Sequence, residues 1–292
     1  MPDKHLPIFR IQDFDAQTRR EQYFYLNSFA NHLREHQFIQ KPHKHNFYIV
    51  LLLTSGSGTH TIDFNTYPVQ PRTVYFLRPG QVHSWQFTAD AAGYIIFFTS
   101  EFYLWGHPQN KLYDFPFFNA LLSRPLLQVT EAEEAQLLTV IKSIEGEHAG
   151  RQSKKEDIIR DYLDILLILL SRIYEAQHPR EQVSSGEFLQ LQNLENLIDQ
   201  HYKAHQPVSF YAEQLHMTAK QLNESSKRTT GKTITELIQN RVVLEAQRLL
   251  VHSPLTITQV AAELGYFDNS YFSRFFKKHA GQTPEQFRLL HQ

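Results

Sequence analysis

Residues 256–288, TITQVAAELGYFDNSYFSRFFKKHAGQTPEQFR, constrain the chain more than any other stretch. Thr256 can cap a helix ahead of Ile257, Val260, Ala261 and Leu264, which recur at helical spacing. Gly265 stops that helix by supplying the positive φ that other residues avoid. Asp268 or Asn269 restarts the chain as a second helix. Phe272, Phe275 and Phe276 lie on or near one side of it, with Asn269, Ser270, Ser273, Arg274, Lys277 and Lys278 mostly elsewhere. Gly281, Thr283 and Pro284 then stop and cap, opening a last helix through Phe287. Two short helices about a glycine turn, the second polar and basic outside, make a helix-turn-helix. Its second helix suits a major groove and its cations suit phosphates.

These residues resemble the signature of the AraC/XylS family of bacterial transcription regulators. The matching positions are Gly265-Tyr266, residues 270–277 (SYFSRFFK), Gly281, Thr283-Pro284 and Phe287-Arg288. The resemblance is nearly continuous along the stretch. It implies an α+β chain: an N-terminal cupin-like β-barrel with a helical dimerisation pair, then an all-α domain with two helix-turn-helix motifs joined by a long helix.

The chain has 292 residues, which suggests two domains. Its 29 Lys+Arg against 30 Asp+Glu leave a net charge of −1, so any DNA binding rests on local clustering. The absence of cysteine removes disulfides, thiolate metal sites and cysteine catalysis. No continuous apolar run marks a signal peptide near the start, and the run at 165–170 is too short to span a bilayer. The expectation is a cytoplasmic, nucleoid-associated protein with no membrane partner.

The N-terminal half reads as β. Tyr23-Phe24-Tyr25-Leu26 fits an edge strand. Strands are predicted at 43–53, 59–64, 73–77, 82–87 and 93–99, punctuated by Gly56, Gly58 and Pro79-Gly80, as in a small sandwich or barrel. His43, His45, Phe47 and Ile49 share one face at the strand period of two. With Gly56 and Pro79-Gly80-x-x-His83, they resemble the two cupin motifs and the effector barrel of AraC-type regulators. Metal cupins carry a glutamate four or five residues after the second histidine, where this chain has Ile49 and Val50. The asparagine often found after the last histidine is Phe87 here. The ligand set therefore argues for no metal, no cofactor and no catalytic residues. Two readings of the histidines remain: satisfied core groups, or an organic-effector pocket of His43, His45, His60, Arg78, His83 and Trp85.

Thr130 caps a helix rich in first-turn glutamates. A second helix is predicted at 154–176 with two apolar lines. One is Ile159, Tyr162, Leu166, Leu169 and Ile173; the other is Leu163, Leu167, Leu170 and Tyr174. Either both lines are buried within one chain, or the first line forms a homodimer interface, the place where the resemblance puts one. Residues 177–186, QHPREQVSSG, read as a linker between domains at 1–176 and 187–292.

In the C-terminal half, a helix at 187–201 buries Phe188, Leu191, Leu194, Leu197 and Ile198. Ser209 and Thr218 are expected to cap the helices of an earlier helix-turn-helix, 209–229, and Thr233 a long helix at 234–252. A helix of that length spans about 28 Å, close to the ~34 Å repeat of major grooves on one face of B-DNA. By resemblance, Lys220, Gln221 and Asn223 in the first unit and Asn269, Ser270 and Arg274 in the second are base-edge candidates. Arg274 suits guanine and Asn269 adenine. Lys227, Lys277 and Lys278 suit the backbone. Glu224 and Ser226 replace the arginine and phenylalanine that family members place there, so looser contact is expected from the first reader.

The expected function is a sequence-specific transcriptional regulator, not an enzyme, that binds promoter DNA as a homodimer, responds to a small-molecule effector and contacts RNA polymerase. The alternative is a metal-dependent cupin enzyme fused to a DNA-binding domain.

Overall fold

The computed structural model describes residues 6–14, 23–106, 112, 115–119, 124–178 and 185–291. It divides into one unit of residues 7–180 and another of residues 181–292.

Within the first unit the elements are, in chain order, β1 (Ile8–Phe9), β2 (Phe24–Ser28), α1 (Phe29–Glu35), β3 (Lys44–His45), β4 (Tyr48–Ser55), β5 (Gly58–Ile62), β6 (Asn65–Val69), β7 (Thr73–Leu77), β8 (His83–Phe87), β9 (Ala92–Phe98), α2 (Ser100–Leu104), β10 (Leu126–Gln128), α3 (Glu131–Ala149) and α4 (Lys155–Gln177). A five-stranded antiparallel sheet runs β10-β7-β4-β9-β2, facing a three-stranded sheet β6-β5-β8, while β1 and β3 pair in parallel. β2 lies at the sheet edge, where its aromatic run suggested.

The central strand explains the unbroken apolar run at its heart. Tyr48, Val50 and Leu52 pack into the cluster shared with α3 and α4, while Ile49, Leu51 and Leu53 pack into the barrel interior. A strand covered on both faces has no polar side to alternate with. β6, β10 and α1 were not anticipated. β6 is polar and carries Pro68, and β10 is three residues long. Neither presents the period-two pattern that marks a half-buried strand.

α3 opens on the capping box of Thr130 and Glu133. In α4 both predicted seams are largely spent inside the unit. Leu163, Leu167, Leu170 and Tyr174 are buried, and so are Ile159, Leu166 and Ile173 of the line assigned to dimerisation. Only Tyr162 and Leu169 of that line reach the surface in part. The solvent-facing apolar side chains are Ile158 (39% exposed), Ile165 (45%) and Ile168 (36%). The exposed stripe is thus Ile158, Ile165 and Ile168, flanked by the half-buried Tyr162 and Leu169, and is rotated by about one residue from the predicted one. Spacing alone marks two apolar lines on a helix; only the neighbouring sheet and helix decide which is covered.

The second unit comprises α5 (Ser185–His201), α6 (Val208–Gln214), α7 (Ala219–Thr230), α8 (Ile234–His252), α9 (Ile257–Glu263), α10 (Asn269–Ala280) and α11 (Pro284–His291). α5 buries Leu191, Leu194 and Ile198, with Leu197 half-buried; the Phe188 side chain lies outside the described residues. Gln177 belongs to α4 and Ser185 and Gly186 to α5, and residues 179–184 of the predicted linker lie outside the described residues. α6 starts two residues earlier than predicted, with Pro207 rather than Ser209 at its N-cap. Proline's fixed φ favours this entry without needing a capping hydroxyl. Among the described residues no helix is long and apolar enough to cross a membrane.

Candidate nucleic-acid interface and ligand chamber

The helical unit is built twice on one plan. In the first copy the N–H of Met217 returns to the Ala212 carbonyl at 2.9 Å; in the second, Tyr266 returns to Ala261 at 2.9 Å. The left-handed residue of the first turn is His216 (φ 54°), and that of the second is Gly265 (φ 80°). The second turn needs glycine for a further reason: a β-carbon there would stand 2.2 Å from the Lys203 carbonyl oxygen. Thr218 caps α7 and Asp268 caps α10. Leu222 and Ser226 are buried where α10 buries Phe272 and Phe276. The small Ser226 does not fill a core position; its hydroxyl donates to the Lys232 carbonyl at 2.7 Å. That exchange gives the first reader a thinner core than the second.

α8 is 19 residues long, about 28 Å. Contacts to α9, α10, α11, α7 and α5 fall along it. Arg241 anchors its middle, 2.5 Å from Asp199 and 2.9 Å from Glu245, with its guanidinium 4.2 Å from the Tyr202 ring centroid. Arg288, the last residue of the recognised stretch, turns inward. It donates to the Leu250 and Leu255 carbonyls at 2.9 and 2.6 Å, tying α11 to the end of α8.

On α10, Asn269, Ser270, Arg274, Lys277 and Lys278 are all exposed. On α7, Lys220, Gln221 and Lys227 are exposed, but two of the predicted readers there are engaged within the fold. Gln221 accepts from the Thr218 N–H and hydroxyl through its side-chain oxygen, at 3.0 and 2.9 Å, leaving only its amide donors. Asn223 is half-buried. It donates to the Ala219 carbonyl and accepts from the Ile234 N–H, both at 3.1 Å, so it helps hold the start of α8 and cannot offer a base the paired donor and acceptor of a free amide. Lys220 also lies 3.9 Å from Glu224, and Arg228 pairs with Glu187.

In the barrel, the structure brings His43, His45, His83 and Trp85 to the wall of one small chamber, together with Phe47 and Ile49. His43 and His83 bridge as strand partners, their ring centroids 4.2 Å apart, and His45 lies 5.1 Å from His83. His60 is not on this wall: it stacks on Trp85 at 3.2 Å and 16° and meets His83 Nδ1 through Nε2 at 3.3 Å. Arg78 sits half-buried in the turn after β7, its N–H bonded to Gln81, and is also off the wall. The chamber holds about 10 Å³, room for about one water.

The tautomers follow from the partners. His43 Nδ1 lies 2.8 Å from the Lys41 carbonyl, and His45 Nδ1 lies 2.6 Å from that of Phe47. Carbonyls only accept, so both rings are protonated on Nδ1 and hold their lone pairs on Nε2. The Nε2 atoms of His45 and His83 are buried with no hydrogen-bond partner among the described residues. Burial holds all four imidazoles below the ordinary histidine range, His45 down to about 3, with His43 adding repulsion at the other three.

Two further histidines belong to this group. His32 on α1 also lines the chamber and bonds the Tyr25 hydroxyl at 3.0 Å, and His36 lies one turn on. Their i, i+4 spacing in FANHLREH was the available signal, in a region where the edge strand at 23–26 is the one element predicted.

A family model described as an AraC-like ligand binding domain matches residues 25–159, and one described as a helix-turn-helix domain matches residues 211–289. The HTH-type transcriptional activator RhaR of Escherichia coli O1:K1 is 24% identical over 255 residues, 87% of this chain and 89% of that protein. Among solved structures, ToxT from Vibrio cholerae O395 is 12% identical, covering 93% of this chain and 99% of ToxT at a TM-score of 0.44. The C-terminal domain of the response regulator yesN from Fusobacterium nucleatum is 25% identical, covering 36% of this chain and 99% of that domain at a TM-score of 0.33. The β-rich unit is a cupin-like, AraC-type ligand-binding domain and the helical unit a double helix-turn-helix DNA-binding domain. With both units matched in the order the recognised stretch implied, the chain belongs to the AraC/XylS family of transcriptional regulators.

Proposed function

We propose that this regulator reads two successive major grooves with α7 and α10, held by α8, and that α10 carries most of the sequence discrimination. The observation that carries this reading is the asymmetry between the readers. Asn269, Ser270 and Arg274 stand exposed on α10, whereas Asn223 and the oxygen of Gln221 are spent inside the fold. Arg274 suits a bidentate contact with guanine and Asn269 one with adenine, while Lys227, Lys277 and Lys278 meet phosphates. Lys220 contributes charge at the first groove.

The protein acts by binding rather than catalysis. Ile49 occupies the position where a metal cupin places its carboxylate, and it presents hydrocarbon to the chamber. His43, His45, His83 and Trp85 contact an effector that must open this chamber to enter, with His60 and Arg78 outside its first ring of contacts. The chain forms a homodimer through the stripe Ile158, Tyr162, Ile165, Ile168 and Leu169 on α4, works in the cytoplasm on nucleoid DNA, and meets RNA polymerase at its promoters.

Selection of bound sites from random duplexes, followed by methylation protection, tests the reading. Each subunit is expected to protect two major-groove patches about one helical turn apart, the one under α10 with the stronger base preference. Protection of one patch only, or equal information content in both, would contradict it. Affinity is also expected to fall steeply with salt.

A further inference from the structure

A cavity of the β-rich unit lies outside the barrel, in a cleft between β2, α2 and the turn joining α3 to α4. It holds about 400 Å³, the lower range of small-ligand sites. Tyr23, Phe24 and Phe102 supply an aromatic wall, and Lys154, Lys155 and Arg160 supply cations. We propose that this cleft binds a small organic carboxylate, its acid group held by Arg160 and Lys155 and its apolar body laid against Phe24 and Phe102.

The case begins with Arg160. Its side chain is only 10% exposed, and its guanidinium lies 5.3 Å from the Phe102 centroid. A cation so desolvated needs acceptors. Asp157 supplies one at 2.9 Å, Glu156 stays at 4.0 Å, and Nε is buried with no hydrogen-bond partner among the described residues. The two carboxylates lean outward, 59% and 69% exposed, so they offset the arginine less than their number suggests.

The start of α4 adds a second attraction. Lys154 at its N-cap is left-handed (φ 62°) and makes no side-chain cap, and the N–H groups of Asp157 and Ile158 return to its carbonyl at 3.0 and 3.1 Å, so the positive end of a 23-residue helix dipole faces the cleft with no capping side chain over it. Lys155 reaches back to the His148 carbonyl at 2.5 Å, which holds its ammonium at the rim. A buried guanidinium, an uncapped helix start and an aromatic wall together select a ligand with one anionic end and an apolar remainder. The site is distinct from the barrel chamber. It also lies beside Ile158, the first residue of the exposed α4 stripe; an effect of occupancy on self-association rests on the dimer reading above.

Tryptophan makes the two sites separable. Trp105 is 59% exposed and stacks edge-on against Tyr23 of the cleft at 5.0 Å, whereas Trp85 is buried on the barrel chamber's wall. The full chain, without DNA, would be titrated with phenylacetate and hexanoate, and with their uncharged amides, by calorimetry and tryptophan emission. Saturable binding of the acids at millimolar concentration or tighter is expected, with at least tenfold weaker binding of the amides. The emission change should vanish in Trp105→Phe while the heat persists. Arg160→Gln should weaken the acids tenfold or more, and the surface variant Lys155→Gln, which leaves the core untouched, at least threefold. No saturable heat, equal binding of acids and amides, an emission change surviving in Trp105→Phe, or full affinity in folded Lys155→Gln would each overturn the proposal. None of these readouts depends on DNA recognition, so either reading can fail alone.

Discussion

The side-chain oxygen of Asn223 accepts the Ile234 N–H at 3.1 Å, joining the first reading helix to the start of the connecting helix. Asn223→Ala removes that cap together with the bond to Ala219 and should cost about 1–2 kcal/mol of stability in the helical unit, measured by urea denaturation. Asn223→Asp keeps the acceptor and should recover most of it. Wild-type stability combined with altered base preference would return Asn223 to the reading surface.

Arg274 and Lys277 are both exposed on α10 but should fail differently. Arg274→Ala should cost about 1–3 kcal/mol on the preferred site and relax selectivity at one base pair. Lys277→Ala should weaken all sequences alike and lower the salt slope by about one. Competition binding at several salt concentrations separates the two.

The paired turns give opposite expectations for small changes. Gly265→Ala meets a positive φ and the Lys203 carbonyl at 2.2 Å, so it should destabilise the helical unit by more than about 1 kcal/mol. His216→Gly relieves a left-handed non-glycine residue at φ 54°, and should stabilise by up to about 1 kcal/mol. Thermal melts of the two variants should move in opposite directions; a downward shift for both would contradict the account of the first turn.

Acid should loosen the barrel before the helical unit. Burial lowers the folded-state values of His32, His43, His45, His60 and His83, that of His45 to about 3. Below the unfolded value near 6.5, the unfolded chain takes up protons that the folded barrel refuses. Stability is therefore fully present above about pH 6.5 and drains as pH falls toward the folded values, at up to about 1.4 kcal/mol per pH unit for each such histidine. Near-ultraviolet dichroism between pH 7.5 and 4.5 should show the loss; a flat profile would mean the imidazoles ionise in place.

Neighbouring positions on α4 separate self-association from folding. Ile165 is 45% exposed and Leu166 is 1% exposed. Ile165→Glu should leave the melt within about 0.5 kcal/mol of wild type while shifting sedimentation from dimer toward monomer. Leu166→Glu should unfold the unit, because it buries an unpaired carboxylate. A folded dimer in Ile165→Glu would place the interface elsewhere.

The double helix-turn-helix was legible because its determinants are local. Caps such as Thr218 and Thr256, the stop at Gly265, and the spacing of Phe272 and Phe276 each act within a few residues. The strand run at β4 and the helix cap at Thr130 were legible for the same reason. What only the tertiary structure decided were relations between distant segments: that Asn223 spends its amide on Ile234, that Arg288 ties α11 to α8, and that His32 joins the barrel histidines. The covered seam of α4 was decided there too, since Ile159 and Ile158 are equally apolar and only packing against the sheet and α3 buries one. Periodicity announces that a face will be apolar; burial depends on what the rest of the chain brings against it.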